Sequence, residues 1–230
     1  MTSVCEICPL LRTGVCAQVI GVPPKPDAVA LRKTGKAASR RYLQKAETPS
    51  DTVKVIRHGW AASVNMSPEG RRQVFDILLP GDPIGGAILS YGVKARTVQA
   101  ITEVDYCEFD VEYIRDLINA NEEIRQFTMD VTYGLLLSVQ ARLFDMASRE
   151  GEGRVLKFIL DIYDRLVSLD LAKDGVCEFP LRQKTIADAV GLTEVHVNRV
   201  MSSLRARKIM WIDSRVLHIA SLGEVRKLIA

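Results

Sequence analysis

The residues of this 230-residue chain best suited to chemistry are its five cysteines, three of which lie close together. Cys5, Cys8 and Cys16 form this N-terminal group, while Cys107 and Cys177 are isolated in the sequence. An odd number of cysteines in a chain without a secretory signal argues against a disulfide framework. Clustered thiols favour metal binding or redox chemistry. On the residues alone, zinc, redox-active thiols and purely structural cysteines all remain open.

Other chemical motifs are missing from the sequence. The chain has three histidines, and it contains no HExxH, no GxSxG and no glycine-rich phosphate loop. Those patterns mark metalloproteases, serine hydrolases and nucleotide-binding enzymes. The sequence therefore predicts a protein that is not an enzyme.

Composition and charge are those of an ordinary globular protein. Hydrophobic residues make up 47% of the chain and charged residues 26%, and the net charge is +3. These values exclude a disordered chain, a collagen and a coiled-coil rod. No apolar run reaches the roughly 18 residues of a membrane span, and the N-terminus does not resemble a signal peptide. We therefore expect a cytoplasmic protein with no membrane partner.

The chain changes character twice along its length. Residues 1–28 are rich in cysteine and end in a proline-rich stretch, which predicts a leader outside the main core. Over 29–110, short β-type runs alternate with turn signals, a pattern typical of an antiparallel barrel or sandwich. The segment 111–148 has no proline and one glycine, and it predicts a short helix followed by a long one.

The long helix carries an apolar stripe formed by Met129, Leu136, Val139, Leu143 and Met146. Steps of seven, three, four and three residues are typical of the seam of a coiled-coil pair. We therefore predict a homodimer joined along 111–148, with packing of this stripe on its own domain as the alternative. The stretch Gly151-Glu152-Gly153 then interrupts the pattern, which predicts a hinge before the last domain, 149–230.

A helix-turn-helix pattern lies between Gln183 and Val200. The motif needs a small residue where its helices cross, here Ala187, and a residue that tolerates positive φ in the turn, here Gly191. Thr193 is a suitable N-cap for the second helix. The positions that must face inward are all apolar: Ile186, Val190, Leu192, Val197 and Val200. Two short β runs around residues 213–215 follow, which predicts a winged helix-turn-helix.

The basic charge of the chain is concentrated on this motif. Leu181–Lys208 holds six basic and two acidic residues, an excess larger than that of the whole chain. A basic face suits phosphate groups, and side chains near the start of the second helix reach base edges. Arg199 is expected to bind the edge of a guanine. The alternative for the whole motif is a helical hairpin that binds no nucleic acid. The predicted DNA contacts are Arg182, Lys184, Thr193, Glu194, His196, Asn198, Arg199 and Arg205.

A β-rich half, one long helix and a C-terminal winged helix-turn-helix, in that order, resemble the CRP/FNR family of bacterial transcription regulators. The resemblance covers roughly residues 29–230, and the run VFDILLPGDPIGG at 74–86 is similar to the family's PGDxxG stretch. It implies an α+β fold with an N-terminal antiparallel β-roll that senses a signal, a long dimerisation helix and a DNA-binding domain. The partners it implies are a double-stranded DNA operator, a second copy of the chain and RNA polymerase.

The residues also bear on which signal is sensed. Relatives that bind cyclic AMP carry a glutamate where this chain has Gly86, although Arg96-Thr97 matches their Arg-Ser pair, so cyclic-nucleotide binding is not expected. Cys5, Cys8, Cys16 and Cys107 resemble the oxygen-sensing FNR branch, of the FnrN and FnrL type. That resemblance implies a [4Fe-4S] cluster on these four thiolates and a regulator that responds to oxygen or redox state. The alternative is a regulator of the same architecture that senses a diatomic gas through haem, or a small effector.

Two positions depart from the resemblance or stand outside it. Val195 occupies the place where recognition helices of the FNR branch commonly carry a glutamate. A valine cannot accept a hydrogen bond from a cytosine amino group, so the target sequence of that branch does not carry over. Cys177 is expected to be a buried strand cysteine that takes no part in ligating the cluster.

Overall fold

The computed structural model describes residues 8, 10, 33–48, 50–86 and 96–229. They fall into two compact units. The first contains Asp76–Leu137 with the described residues up to Asn65, and the second contains Met66–Phe75 with the described residues from Ser138 onward. Of the predicted leader, 1–28, only Cys8 and Leu10 belong to the described residues.

The N-terminal half is built from short antiparallel strands. Their bounds are β1 (Lys33–Ala37), β2 (Tyr42–Gln44), β3 (Thr52–His58), β4 (Ala61–Met66), β5 (Arg72–Leu78), β6 (Pro83–Ile84), β7 (Thr97–Ala100) and β8 (Val104–Asp110). One sheet has the order β1-β8-β3-β6 and the other β2-β7-β4-β5. Buried residues from both sheets form one cluster: Leu43, Ile56, Ala61, Ile84, Val98, Ala100 and Val104. The predicted antiparallel β domain is confirmed.

Two helices follow the last of these strands. Helix α1 (Val111–Ala120) begins where the Asp110 carboxylate accepts hydrogen bonds from the backbone N–H groups of Glu112 and Tyr113, which caps the helix. Asn121 separates it from α2 (Glu122–Ser148), a helix of 27 residues. The prediction of a short helix followed by a long one is confirmed.

The second unit folds around a third helix, α3 (Gly151–Ser168), whose inner side buries eight residues. The remaining elements are β9 (Ala172–Lys173), β10 (Val176–Glu178), α4 (Gln183–Val190), α5 (Glu194–Ala206), β11 (Met210–Asp213), β12 (Val216–Ile219) and α6 (Leu222–Leu228). The sheet order is β11-β12-β10-β9. Helix α3 is tied to the β9–β10 turn, because the backbone N–H of Gly175 donates to the Tyr163 hydroxyl at 2.8 Å.

The two glycines that interrupt the helical pattern do not lie in a linker. Arg149 and Glu150 separate the long helix from α3, and Gly151 and Gly153 belong to the first turn of α3. A Cβ atom added at Gly151 would lie 2.7 Å from Nε2 of His196. The missing side chain at Gly151 therefore makes room for the neighbouring helix α5, while the hinge itself stays a prediction.

Candidate nucleic-acid interface

The turn between α4 and α5 has the geometry that the sequence predicts. Gly191 has φ +69°, in the left-handed region that glycine adopts at little cost, and its backbone N–H donates to the Ala187 carbonyl. Thr193 is the N-cap of α5, with its hydroxyl oxygen accepting from the backbone N–H of His196 at 3.2 Å. The helix-turn-helix prediction is confirmed at both ends of the turn.

The inward positions of the motif form its packed interior. Ile186 and Val197 are fully buried, and Ala187, Val190 and Val200 are nearly so. Leu192 is half-buried. Apolar packing at these positions fixes α5 relative to α4, because a change of volume at any of them would disturb both helices.

The outer face of α5 is set by helical geometry. Its buried residues are Val197, Val200, Met201 and Leu204. Since each residue advances by about 100° around a helix, Val195 and Arg199 lie on the opposite side. Both are exposed. This outer face starts in the first turn of α5, the part of a recognition helix from which side chains reach base edges.

Two of the predicted DNA-binding arginines are free to bind a partner. Arg182 is the N-cap residue of α4, and Arg199 lies on α5; both are exposed. Neither has an ion-pair partner in the part of the chain that the structure describes. Asn198 accepts a hydrogen bond from the Ser202 hydroxyl at 3.3 Å, and Glu194 is exposed in the first turn of α5.

The remaining predicted contacts interact with other residues of the second unit. Lys184 Nζ lies 3.7 Å from the Asp188 carboxylate, which also accepts from Arg72 at 2.9 Å. Arg205 lies 3.9 Å from Asp213, but both side chains are more than half exposed, so this pair is weak. The His196 ring lies against Gly151 in α3. As DNA contacts, all eight residues stay predictions.

The wing is a tight hairpin of β11 and β12. Ser214 and Arg215 join the strands with φ of +49° and +65°, the conformation of a hairpin turn whose twist matches its strands. On one face, the rings of Trp211 and His218 stack with their centres 5.2 Å apart. The predicted winged helix-turn-helix is confirmed. Sequence reasoning missed this aromatic pair, although the two residues are directly opposite in the register.

Two of the predicted metal ligands lie at one apolar cluster of the first unit. Cys107 on β8 is 6% exposed and belongs to a cluster with Leu10, Val55, Phe109 and Ile114. Cys8 is half-buried and packs against the same cluster. Cys5 and Cys16 lie outside the described residues. Within residues 8, 10, 33–48, 50–86 and 96–229, no group of three or more histidine, cysteine or acidic residues could hold a metal ion.

The fifth cysteine lies in the second unit. Cys177 is in the middle of β10 and is buried, as expected from its sequence context. Burial raises the pKa of the Cys177 thiol to about 11. The group is therefore protonated and unreactive at neutral pH.

The apolar stripe of α2 is exposed along most of its length. Met129, Leu136, Val139 and Leu143 all present large hydrophobic surfaces. Met146 differs, because it is half-buried and its methyl carbon would lie 3.2 Å from a Cβ atom at Gly191. Five further exposed hydrophobic residues of the helix were missed, since they lie off the predicted seam: Val131, Tyr133, Leu135, Leu137 and Phe144.

Family models match both halves of the chain. The cyclic nucleotide-binding domain matches residues 36–121, and the Crp-like helix-turn-helix domain matches residues 153–227. None of the helices in the described residues is long and apolar enough to cross a membrane.

Curated relatives match nearly the whole chain. The transcriptional activatory protein AadR of Rhodopseudomonas palustris is 25% identical over 90% of this chain and 85% of its own length. The nitrogen fixation regulation protein FixK of Bradyrhizobium diazoefficiens is 24% identical over 87% and 83%. The transcriptional activator protein FnrL of Cereibacter sphaeroides is 22% identical over 92% and 85%.

Solved structures share the fold. FixK2 from Bradyrhizobium japonicum superposes with a TM-score of 0.77 at 21% identity, covering 86% of this chain and 98% of its own. Both family models, the confirmed winged helix-turn-helix and this fold agree with one another. The chain belongs to the CRP/FNR family of DNA-binding transcription regulators.

Proposed function

We propose that the chain is a homodimeric, oxygen-responsive transcription regulator that holds a [4Fe-4S] cluster on Cys5, Cys8, Cys16 and Cys107. The DNA operator is one partner, and RNA polymerase at a promoter is the other. The observation that carries the proposal is that Cys8 and Cys107, which are far apart in sequence, pack against the same apolar cluster.

The position of Cys107 suits a fixed ligand. It lies on β8 between two strands, opposite Thr34 on β1 and Val55 on β3. A residue that is paired with strands on both sides moves little, so its sulfur would be held in place as a ligand atom. The surrounding side chains of Phe109 and Ile114 are apolar and limit the access of water.

The N-terminal segment reaches the same place through two residues. Leu10 is buried in the cluster, and Cys8 packs against it. A Leu10 methyl carbon would also lie 3.7 Å from a Cβ atom at Gly81. Leu10 and Cys8 thus both lie at the cluster that contains Cys107, and Cys5 and Cys16 are the proposed remaining ligands. A [4Fe-4S] cluster takes four thiolates and supplies a centre that is sensitive to oxygen.

The names of relatives agree with control by oxygen. The anaerobic regulatory protein of Pasteurella multocida is 23% identical over 78% of this chain. A fumarate and nitrate reduction regulatory protein of Salmonella typhimurium is 22% identical over the same share. The first name describes anaerobic regulation, and the second describes the reduction of fumarate and nitrate.

The homodimer is supported by the exposed face of α2. The structure describes all 27 residues of α2, and among them only Ile124 is buried. A helix of this length extends about 40 Å, and a water-exposed apolar stripe along it would be unfavourable in a monomer. A second copy of the same helix offers a matching stripe by symmetry.

The test is to purify the full chain without oxygen and measure iron, acid-labile sulfide, zinc and absorbance. The proposal predicts iron and sulfide and a broad band near roughly 400 nm, which single Ser substitutions at Cys5, Cys8, Cys16 and Cys107 abolish. The matched control is Cys177→Ser, which should leave the band intact. Zinc without iron, a sharp haem band, or a chromophore that survives Cys107→Ser would contradict the proposal.

A further inference from the structure

Val195 is the most exposed large hydrophobic side chain in the described part of the chain, at 71%. One exposed valine is ordinary on a protein surface. Its position in the recognition helix makes this one informative, because it lies in the first turn of α5, directly after Glu194. Polar residues would be expected at a site that contacts only water or phosphate.

The side chain points directly away from the body of the domain. Leu204, which is fully buried, follows Val195 by nine residues, and nine steps of about 100° place the two on opposite sides of the helix. Arg199 follows Val195 by one helical turn and lies on the same outer face. An object that contacts Arg199 from outside therefore meets Val195 as well.

The chemistry of a valine selects among the groups in the major groove. The C5-methyl group of thymine is the apolar group displayed there, whereas guanine, adenine and cytosine present donors and acceptors. A valine beside such a polar edge would desolvate it and offer no hydrogen bond in return. A β-branched side chain in a helix also has one dominant rotamer, so it loses little entropy on contact.

We infer that Val195 is a specificity-determining residue that recognises the C5-methyl group of a thymine beside the base pair contacted by Arg199. The inference rests on the proposed function for its two half-sites per homodimer and for the base contact of Arg199. It does not rest on the iron-sulfur cluster.

The experiment first selects the preferred operator of the wild-type chain from random duplexes. Each thymine of that operator is then replaced by deoxyuridine, which removes the methyl group and changes nothing else. One thymine per half-site should become sensitive, with affinity falling about fourfold per half-site, the value expected for one buried methyl or methylene group. Val195→Ala should bind the thymine and uracil duplexes equally.

Val167→Ala is the matched control, since Val167 is an exposed valine on another helix, α3, and its loss should leave uracil sensitivity unchanged. Val195→Glu should move the preference at that position from thymine to cytosine, because a carboxylate accepts from the cytosine amino group. The inference is overturned if Val195→Ala retains the wild-type sensitivity to uracil, or if both variants select the wild-type sequence.

All affinities are measured with and without oxygen, which separates this inference from the proposed function. Equal DNA binding in both conditions would refute oxygen control, yet the comparison of thymine with uracil would still be readable. Wild-type protein that prefers no DNA sequence in either condition would overturn the Val195 inference itself.

Discussion

Replacing Leu136 and Leu143 with glutamate should separate the proposed homodimer into monomers. The two leucines are 50% and 62% exposed on α2, so more than half of their combined surface is available to a partner. Glutamate is a good helix former, and the substitutions should leave the helix itself intact.

The size of the effect follows from the exposed area. Burying a whole leucine side chain contributes about 1.5 to 3 kcal/mol, so the exposed part of each residue is worth about 1 kcal/mol. A symmetric dimer contains four such leucines, which gives about 4 kcal/mol. The dissociation constant should therefore rise about a thousandfold. Repulsion between the introduced carboxylates adds to this loss.

Sedimentation equilibrium over a range of concentrations measures the dissociation constant directly. The matched control is Leu228→Glu, which places the same charge at a leucine of α6 that is 45% exposed. The control should dimerise like the wild-type chain. A wild-type chain that is monomeric at micromolar concentration with and without oxygen would refute the reasoning, as would a double variant that dimerises as tightly as the control.

Three further predictions concern the second unit. Arg199→Ala should cost about 1 to 3 kcal/mol of binding free energy on the operator and relax specificity at one base pair per half-site. Lys184→Ala should instead weaken binding to all duplexes similarly and flatten its salt dependence. An equal loss of affinity on every sequence for Arg199→Ala would identify a phosphate contact. Gly191→Ala should lower the free energy of unfolding of the second unit by about 1 to 2 kcal/mol in urea titrations, because Gly191 has φ +69°. The control Gly223→Ala, which lies in a helix, should be neutral or stabilising. Equal effects of the two substitutions would contradict this account of the turn. The pKa of the Cys177 thiol is raised to about 11, against 9.0 for an ordinary thiol, so the free energy of unfolding should fall as pH rises from 9.0 towards 11. Cys177→Ser should lose this part of the pH dependence. The same pH profile of stability in the wild-type chain and the variant would contradict this prediction.

The helix-turn-helix could be predicted from the sequence because its requirements are local. Gly191 must adopt positive φ, Thr193 must cap α5, and apolar residues such as Val197 must face inward, all within 18 consecutive residues. Such constraints act through the nearest turns of the chain, so residue type and spacing record them directly.

Several strands could not be predicted from the sequence in this way. Strand β1 has the sequence KTGKA, whose residues are mostly polar and exposed at a sheet edge. Strand β6 has only two residues, too few to show any period. Gly35 is a residue whose role was missed, because a Cβ atom there would lie 2.4 Å from the Tyr106 ring on β8. Close packing across strands explains this glycine, and it becomes visible only when the partner strand is known.

Heptad spacing also cannot distinguish a partner helix from a neighbour in the same chain. Met146 fits the stripe with Leu143, yet its side chain lies against the turn at Gly191. Both contacts favour an apolar residue at the same helical position. His196 is a similar case, because its ring lies close to Gly151 while the residue stays exposed on α5, so a contact of His196 with DNA stays a prediction.

The affinity of the full chain for its operator, with and without oxygen, tests the central proposal most directly. Fluorescence anisotropy would compare wild-type protein purified without oxygen, the same protein after exposure to air, Cys107→Ser and the control Cys177→Ser. Tight binding is predicted for wild-type and Cys177→Ser without oxygen, with weak binding after air exposure and for Cys107→Ser in both conditions. Equal affinity with and without iron, in air and out of it, would contradict oxygen sensing through these cysteines.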